Sequence, residues 1–366
     1  MKEPVSIYIH IPFCRKKCYY CDFTSVCDIG GQGGYIGALQ KEMAFYRDRL
    51  EGRPVRSVFI GGGTPSVLDV GNINAVFRSL DGFAVGADCE ITVEGNPESL
   101  TAEKLRCFKD NGVNRLSIGL QSVNDKSLKA IGRLHTYDDF LHCLDRAVSL
   151  FDNINADVMI GVDASFGEFA HTVNTVVQLP LSHISCYALE VYPNSLLRQL
   201  IDGGTVTVTE DEDALADMYD YALDAFRRNG FDRYEISNFA KKDRQCIHNL
   251  NYWKCGDYVG LGVAAAGYLD GVRYTNTRSL DEYLSGKTVK EKQIIDKNES
   301  MKEYLILGLR LEEGVSLSEF YRRYGIPLTE AFDISCRADC LDLSDDRLAV
   351  RKDKFYALNY ILSDLL

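Results

Sequence analysis

The sequence predicts an α/β protein: six β–α units in a row, then a smaller helix-rich domain. Three observations predict it. Strand patterns alternate with helical patterns from residue 5 to about 230, glycines close several of the helical patterns, and the character changes twice, near 232 and near 299.

"VSIYIHI" (5–11) alternates apolar and polar residues, as a strand does. A glycine-rich loop (30–34) leads to a helical run over 35–50. "RSVFIGGG" (56–63) is a buried strand entering a glycine turn, with a helix near 68–80. "CEITVEGNP" (89–97) is a strand, and the helix after it ends at Gly112. "RLSIGLQS" (115–122) is a strand, and the helix over 136–151 opens with Thr136 and Asp139 at capping-box spacing. Two further pairs follow: strand 154–162 with helix 168–179, and strand 183–191 with an acidic-capped helix over 210–230. Such repeats imply a parallel sheet with right-handed crossovers. A partial barrel and a doubly wound sheet both satisfy six units. Beyond 232 a Gly- and Tyr-rich stretch suggests short strands and loops, and from 299 a helix–turn–helix rhythm ends in a strand pair and a terminal helix. The charged stretch 285–298 is the expected boundary, giving a core at 1–235, an extension at 236–290 and a C-terminal domain at 291–366.

Of the 366 residues, 46% are hydrophobic, enough for a full core. The net charge of −12, with no dense basic run, argues against nucleic acid or a membrane surface as the main partner. No apolar run approaches a membrane span, and the N-terminus enters a strand without a secretory pattern, so a cytoplasmic protein is expected. In that compartment twelve cysteines are read as metal ligands or catalysts before disulfides. Cys89, Cys107, Cys143 and Cys186 sit in apolar or helical patterns and are expected as buried small hydrophobes.

Cys14, Cys18 and Cys21 differ, because C-x3-C-x2-C lets all three thiolates face one centre. Three thiolates can hold three irons of a [4Fe–4S] cluster and leave the fourth iron open. Lys16 and Lys17 inside the loop favour thiolates. Structural zinc is the alternative, but it needs four ligands, and Cys27 is the one further candidate nearby. Strand alternation places Glu94, Gln121 and Asp157 opposite the apolar faces of their strands, where they would line a barrel. Taken singly, each is equally well an exposed polar residue at a strand end.

"YIHIPFCRKKCYYCDF" resembles the signature of the radical S-adenosylmethionine (SAM) superfamily, in its oxygen-independent coproporphyrinogen oxidase-like branch. The resemblance implies a partial (β/α)6 barrel, a cluster on Cys14, Cys18 and Cys21, and SAM on the open iron, cleaved by one electron to a 5′-deoxyadenosyl radical. "GGGTPS" (61–66) follows the second strand, where the family binds the SAM amino group, which implicates Gly62, Gly63 and Thr64. Tyr8, Tyr20, Glu94, Gln121, Arg133, Asp157 and Ala188 are the further SAM contacts it implies.

Two features select a branch. Phe23 stands where the dehydrogenases carry another cysteine, and "HNLNYW" (248–253) resembles the HNxxYW motif of HemW-type haem chaperones. That resemblance implies haem binding at His248. From the residues alone, imidazole is a common haem ligand and Tyr252 and Trp253 could pack on a macrocycle. They equally fit a braced turn and core filling. Cys246 is a possible second ligand, and His10 is expected behind the cluster. Asp163 replaces a proline of the family pattern, in a loop expected over the barrel mouth. The implied function is binding of SAM and haem and delivery of haem to apoproteins, with a one-electron donor such as flavodoxin or ferredoxin, in a monomer or homodimer. The alternatives are an oxygen-independent coproporphyrinogen III dehydrogenase, which converts propionates to vinyl groups, and a metal-stapled scaffold without radical chemistry.

Overall fold

A computed structural model describes residues 3–366. The first unit is β1 (Val5–Ile11) and α1 (Gln32–Leu50), the second β2 (Pro54–Gly62) and α2 (Val70–Arg78), the third β3 (Ala84–Gly95) and α3 (Ala102–Asp110). The fourth is β4 (Arg115–Gln121) with α4 (Asp125–Ala130) and α5 (Tyr137–Val148), the fifth β5 (Ile154–Ile160) with α6 (Phe166–Val176). The sixth is β6 (His183–Ala188) with α7 (Leu196–Asp202) and α8 (Glu212–Arg228).

Strands β1 to β6 lie side by side in chain order, every neighbour parallel. That order decides between the two architectures. A doubly wound sheet reverses its order at a switch point and carries helices on both faces. Here Val5, Ile7, Val58, Val93, Leu116, Ile118 and Ile184 join one core with Tyr35, Phe140, Phe169 and Phe226 from the helices. Helices α1, α2, α3, α5, α6 and α8 therefore cover the same face, and the opposite, polar face is the inside of a partial (β/α)6 barrel. Thr136 and Asp139 form the expected capping box on α5. Cys89, Cys107, Cys143 and Cys186 are buried, as expected.

The sheet continues at both edges. After β6 come β7 (Asp232–Glu235) and β8 (Asn238–Ala240), antiparallel at one side. Then α9 (Ile247–Trp253) precedes β9 (Tyr258–Leu261), which pairs parallel with β1 at the other side. β10 (Ala266–Leu269), β11 (Val272–Asn276), α10 (Leu280–Leu284) and β12 (Val289–Ile294) complete a sheet of twelve strands. The charged stretch thus contains an edge strand, and the exposed Lys290 and Lys292 protect it from pairing with another chain. A separate core, built around Leu305, Phe320 and Leu348, holds the remainder. This part comprises α11 (Lys297–Gly308), β13 (Val315–Ser316), α12 (Leu317–Tyr324), α13 (Leu328–Ala331), β14 (Leu341–Leu343), β15 (Arg347–Val350) and α14 (Leu358–Leu365). Among the described residues, no helix is long and apolar enough to cross a membrane.

One local expectation is corrected. HNLNYW is a helical turn and a half inside α9, and neither strand nor loop. Its amides at Ile247 and His248 donate to the Glu90 carboxylate, which caps the helix from the middle of β3.

Candidate functional site

The loop after β1 and the inner faces of β2 to β6 surround a cavity of about 330 Å3. Cys14, Cys18 and Cys21 form one wall of it, on the loop that leaves β1. The loop is stitched to itself: Cys14 N–H donates to Val26 O at 3.0 Å, and Val26 N–H to Pro12 O at 2.7 Å. Two side chains donate onto the sulfurs. Thr64 Oγ1 lies 3.5 Å from Cys14 Sγ, and Arg133 Nη1 lies 3.6 Å from Cys18 Sγ. Burial raises the Cys14 and Cys21 thiols, opposed at Cys14 by the hydroxyls of Thr64 and Ser25 and at Cys21 by the Phe23 backbone. Among the described residues no three His, Cys, Asp or Glu side chains converge on a single ion position. The thiols instead share one cavity wall, the arrangement in which each can take its own iron. A [4Fe–4S] cluster fits this donor set.

The glycine turn after β2 docks directly on that loop. Gly63 N–H and Thr64 N–H donate to the carbonyls of Ile11 and Phe13, both at 2.8 Å. Gly62 has φ +107°, and a Cβ there would fall 2.4 Å from His10 Nδ1. A Cβ on Gly63 would fall 2.9 Å from the carbonyl oxygens of Ile11 and Phe13. The glycines are therefore demanded first by packing of the protein on itself. Gly62 N–H reaches the other way, to Glu94 Oε2 at 3.2 Å.

Glu94, Gln121 and Asp157 all line the cavity, with Tyr20 and Arg133. The Glu94 carboxyl is pushed up to about 7, by burial first and the Asp157 charge second, with Gly62 N–H opposing. Burial also raises Asp157, against the Asn155 amide that bonds it at 2.8 Å. Gln121 reaches the cavity through a break in register after Gly119 and a φ of +76°, a backbone state uncommon outside glycine. Tyr187 O–H donates to its Oε1 at 3.3 Å. Arg133 Nη2 donates to Asn96 Oδ1 and Gly119 O, both at 2.7 Å. Burial opposes the Arg133 charge, but Tyr20, Cys18 and Glu98 hold it. The Nε atoms of Arg115 and Arg133 are buried without a partner. Two carboxylates and two guanidinium groups with spare donors suit a ligand that carries both an ammonium and a carboxylate, as SAM does.

Three expected residues lie elsewhere. Ala188 ends β6, exposed, off the lining that Ser185 and Tyr187 form. The Tyr8 ring is stacked 6.3 Å from Phe59, and its O–H reaches His10 Nδ1 at 3.1 Å. Phe59 faces the cluster cavity, while Tyr8 lines a second one. His248 is 1% exposed, and both ring nitrogens are engaged, with Ser57 Oγ at 2.9 Å and Tyr252 O–H at 2.8 Å. Ser57 O–H donates to Ser6, so Ser57 accepts from His248 Nδ1–H and Tyr252 donates to Nε2. Burial, then the Arg115 charge, pushes this imidazole down to about 3. In this arrangement Tyr252 occupies its one lone pair. Cys246, fully buried with its thiol on Glu90 at 3.5 Å, is no more available.

Asp163 is corrected as well. It is fully buried and accepts from Ser122 Oγ at 2.7 Å and Thr172 Oγ1 at 3.0 Å, so it pins α6 to the end of β4 and does not face the mouth. Sequence reasoning missed Asn96, Arg115, Asn155 and Asn249 on the lining. Arg115 shares the strand parity of Ser117 and Gly119, so alternation could have found it.

Comparison with known proteins now bears on this geometry. The family model described as "Radical SAM superfamily" matches residues 8–176, and that described as "HemN C-terminal domain" matches 295–351. A Bacillus subtilis (strain 168) protein named "Heme chaperone HemW" is 35% identical over 338 residues, covering 89% of each chain. Its Escherichia coli (strain K12) namesake is 34% identical, covering 88% of this chain and 87% of its own. The chain belongs to the HemW family. Another relative, the Bos taurus "Radical S-adenosyl methionine domain-containing protein 1, mitochondrial", is 34% identical over 87% of this chain and 70% of its own. Membership in this radical SAM family implies a [4Fe–4S] cluster and SAM, which the cysteine wall and the polar cavity fit. The solved coproporphyrinogen III oxidase (HemN) of Escherichia coli superposes with a TM-score of 0.85 over 98% of this chain and 89% of that one. At 20% identity it establishes the shared fold: a radical SAM α/β barrel with a helical C-terminal domain.

Proposed function

We propose that the chain is a haem chaperone, binding haem and passing it to apoproteins. The observation that carries this reading is 35% identity over 89% of both chains to a protein named for that role. In this reading Cys14, Cys18 and Cys21 hold the cluster, and the Gly62–Thr64 turn, Tyr20, Glu94, Gln121, Arg133 and Asp157 hold SAM. A reduced [4Fe–4S] cluster supplies one electron to bound SAM. The chain's own contribution is to hold the ligand against the open iron, to neutralise its charged groups and to limit water in a narrow cavity.

The rim suggests how an electron arrives. Phe23 is 66% exposed at the cavity mouth, beside the exposed Lys16 and Lys17. An apolar ring flanked by ammonium groups suits an acidic one-electron donor such as a flavodoxin or ferredoxin. The same reading takes 1–235 as the radical SAM core, 236–290 as its extension and 291–366 as the C-terminal domain, working in the cytoplasm.

Haem transfer tests the function. Haem-loaded protein, mixed with an apo haem-protein, should lose its bound haem while the acceptor's spectrum appears. Anaerobic incubation with coproporphyrinogen III, SAM and a reductant should form no protoporphyrinogen at a catalytic rate. Catalytic formation would replace chaperone with dehydrogenase.

A further inference from the structure

A second cavity of about 630 Å3 lies where β1 meets the added strands. One side is the inner face of β1, β9, β10 and β11; the other is α11 and α12 of the C-terminal part. Tyrosines dominate it: Tyr8, Tyr252, Tyr258, Tyr268 and Tyr324 all contribute. Tyr252 and Tyr258 meet edge to face, 4.6 Å between centroids at 86°, so the pair presents ring surfaces in two directions. Arg273 and Arg323 stand in the wall, the first paired with Glu303 at 2.6 Å and the second with Glu319 at 2.6 Å.

The two cavities differ in what they can hold. The one at the cysteines, about 330 Å3, has to take both cluster and SAM. The tyrosine cavity is nearly twice as large and within the roughly 300–1,000 Å3 typical of small-molecule sites. Aromatic faces suit a flat macrocycle, guanidinium groups suit its carboxylates, and phenols and the Cys255 thiol in the wall are donor types that hold haem iron.

The HNxxYW helix lies between the two. Asn249 lines the cluster cavity, and Tyr252 lines the tyrosine cavity with its O–H fixed on His248 Nε2. Phe59, on the cluster side, sits 5.1 Å from the His248 ring and 6.3 Å from that of Tyr8. Phe59, Tyr8 and the His248 ring therefore stand between the chambers.

We propose that the tyrosine-lined cavity between β1, β9–β11 and α11–α12 is the tetrapyrrole site, with the macrocycle against the tyrosines and its propionates at Arg273 and Arg323. His248 is then a positioning residue that fixes Tyr252 in the wall. This rests on the haem-chaperone reading and adds the place. The division of labour follows from it: SAM and the cluster act in one chamber, and cargo waits in the other, across these rings.

Hemin titration of the full chain, anaerobically reconstituted and followed at the Soret band, tests the site. Ala266, exposed towards the cavity on β10, is replaced by Trp to fill it. Ala266→Trp should weaken hemin binding at least about tenfold with circular dichroism and iron content unchanged. Arg273→Gln should weaken hemin by about the same factor but leave hemin dimethyl ester, whose carboxylates are masked, unaffected. Wild-type affinity in a folded Ala266→Trp protein, or equal losses for hemin and its ester in Arg273→Gln, would overturn the site while haem binding stands. A wild-type chain with no saturable Soret band would overturn the haem reading itself.

Discussion

Glu94 offers a quantitative test of the cofactor cavity. Its carboxyl titrates at about 7, because burial disfavours the charge and Asp157 repels it. A ligand ammonium beside it needs the carboxylate form. With that midpoint the ionised fraction is about 90% at pH 8, half at pH 7 and about a tenth at pH 6. SAM affinity should therefore fall roughly tenfold from pH 8 to pH 6, about 1.4 kcal/mol. The stability linkage has its own sign. The folded value lies above the usual 4.5, so the folded chain holds this proton more tightly. The resulting stabilisation is complete below about pH 4.5 and is lost as pH rises through about 7. Equilibrium dialysis of labelled SAM against anaerobically reconstituted protein at the three pH values measures the effect. Glu94→Gln removes the titrating group and cancels contributions from the ligand's own ionisation, which both proteins share. Parallel pH profiles for wild type and Glu94→Gln would remove Glu94 as the group that meets the ligand ammonium.

Other predictions follow from the same structure. Cys21→Ala should drop iron and sulfide from about four per chain towards zero after reconstitution; retention of a full complement would remove Cys21 as a ligand. Gly62→Ala meets both a φ of +107° and the His10 ring, so it should lower the unfolding free energy from chemical denaturation by about 1–3 kcal/mol. Thr136→Ala deletes the α5 capping box and should cost about 1 kcal/mol in the same assay. His248→Ala leaves the Tyr252 and Ser57 hydroxyls without their buried partner and should cost about 1–3 kcal/mol. The Soret maximum of its haem complex should stay in place, since a shift would put His248 on the iron.

Much of the fold was legible because its signals are local. The parity of Leu116, Ile118 and Leu120 against Ser117, Gly119 and Gln121 carried the inside and outside of β4 without any neighbour. Strand order was not local: only pairing shows that β1 to β6 run in sequence, and only that separates a barrel from a doubly wound sheet. The short helices α4, α7 and α9 were missed because six or seven residues barely complete one hydrophobic period. The candidate site shows the same division. Eleven of its fourteen expected residues line one cavity, because strand parity and loop position govern which way they point. Tyr8 and His248 were harder, since their surroundings come from β2 and α9, far away in sequence. A motif names His248 but cannot reveal that Tyr252 occupies its lone pair. Asp163 looked like a change at the barrel mouth until Ser122 and Thr172 were seen to bind it.

On the proposed function, this barrel carries haem as cargo alongside its own cluster. Titrating hemin into the anaerobically reconstituted full chain, with and without SAM, tests it most directly. A Soret band should saturate near one haem per chain, with iron and sulfide of the cluster intact throughout. A linear, unsaturable rise in absorbance, or saturation only as the cluster is lost, would contradict it.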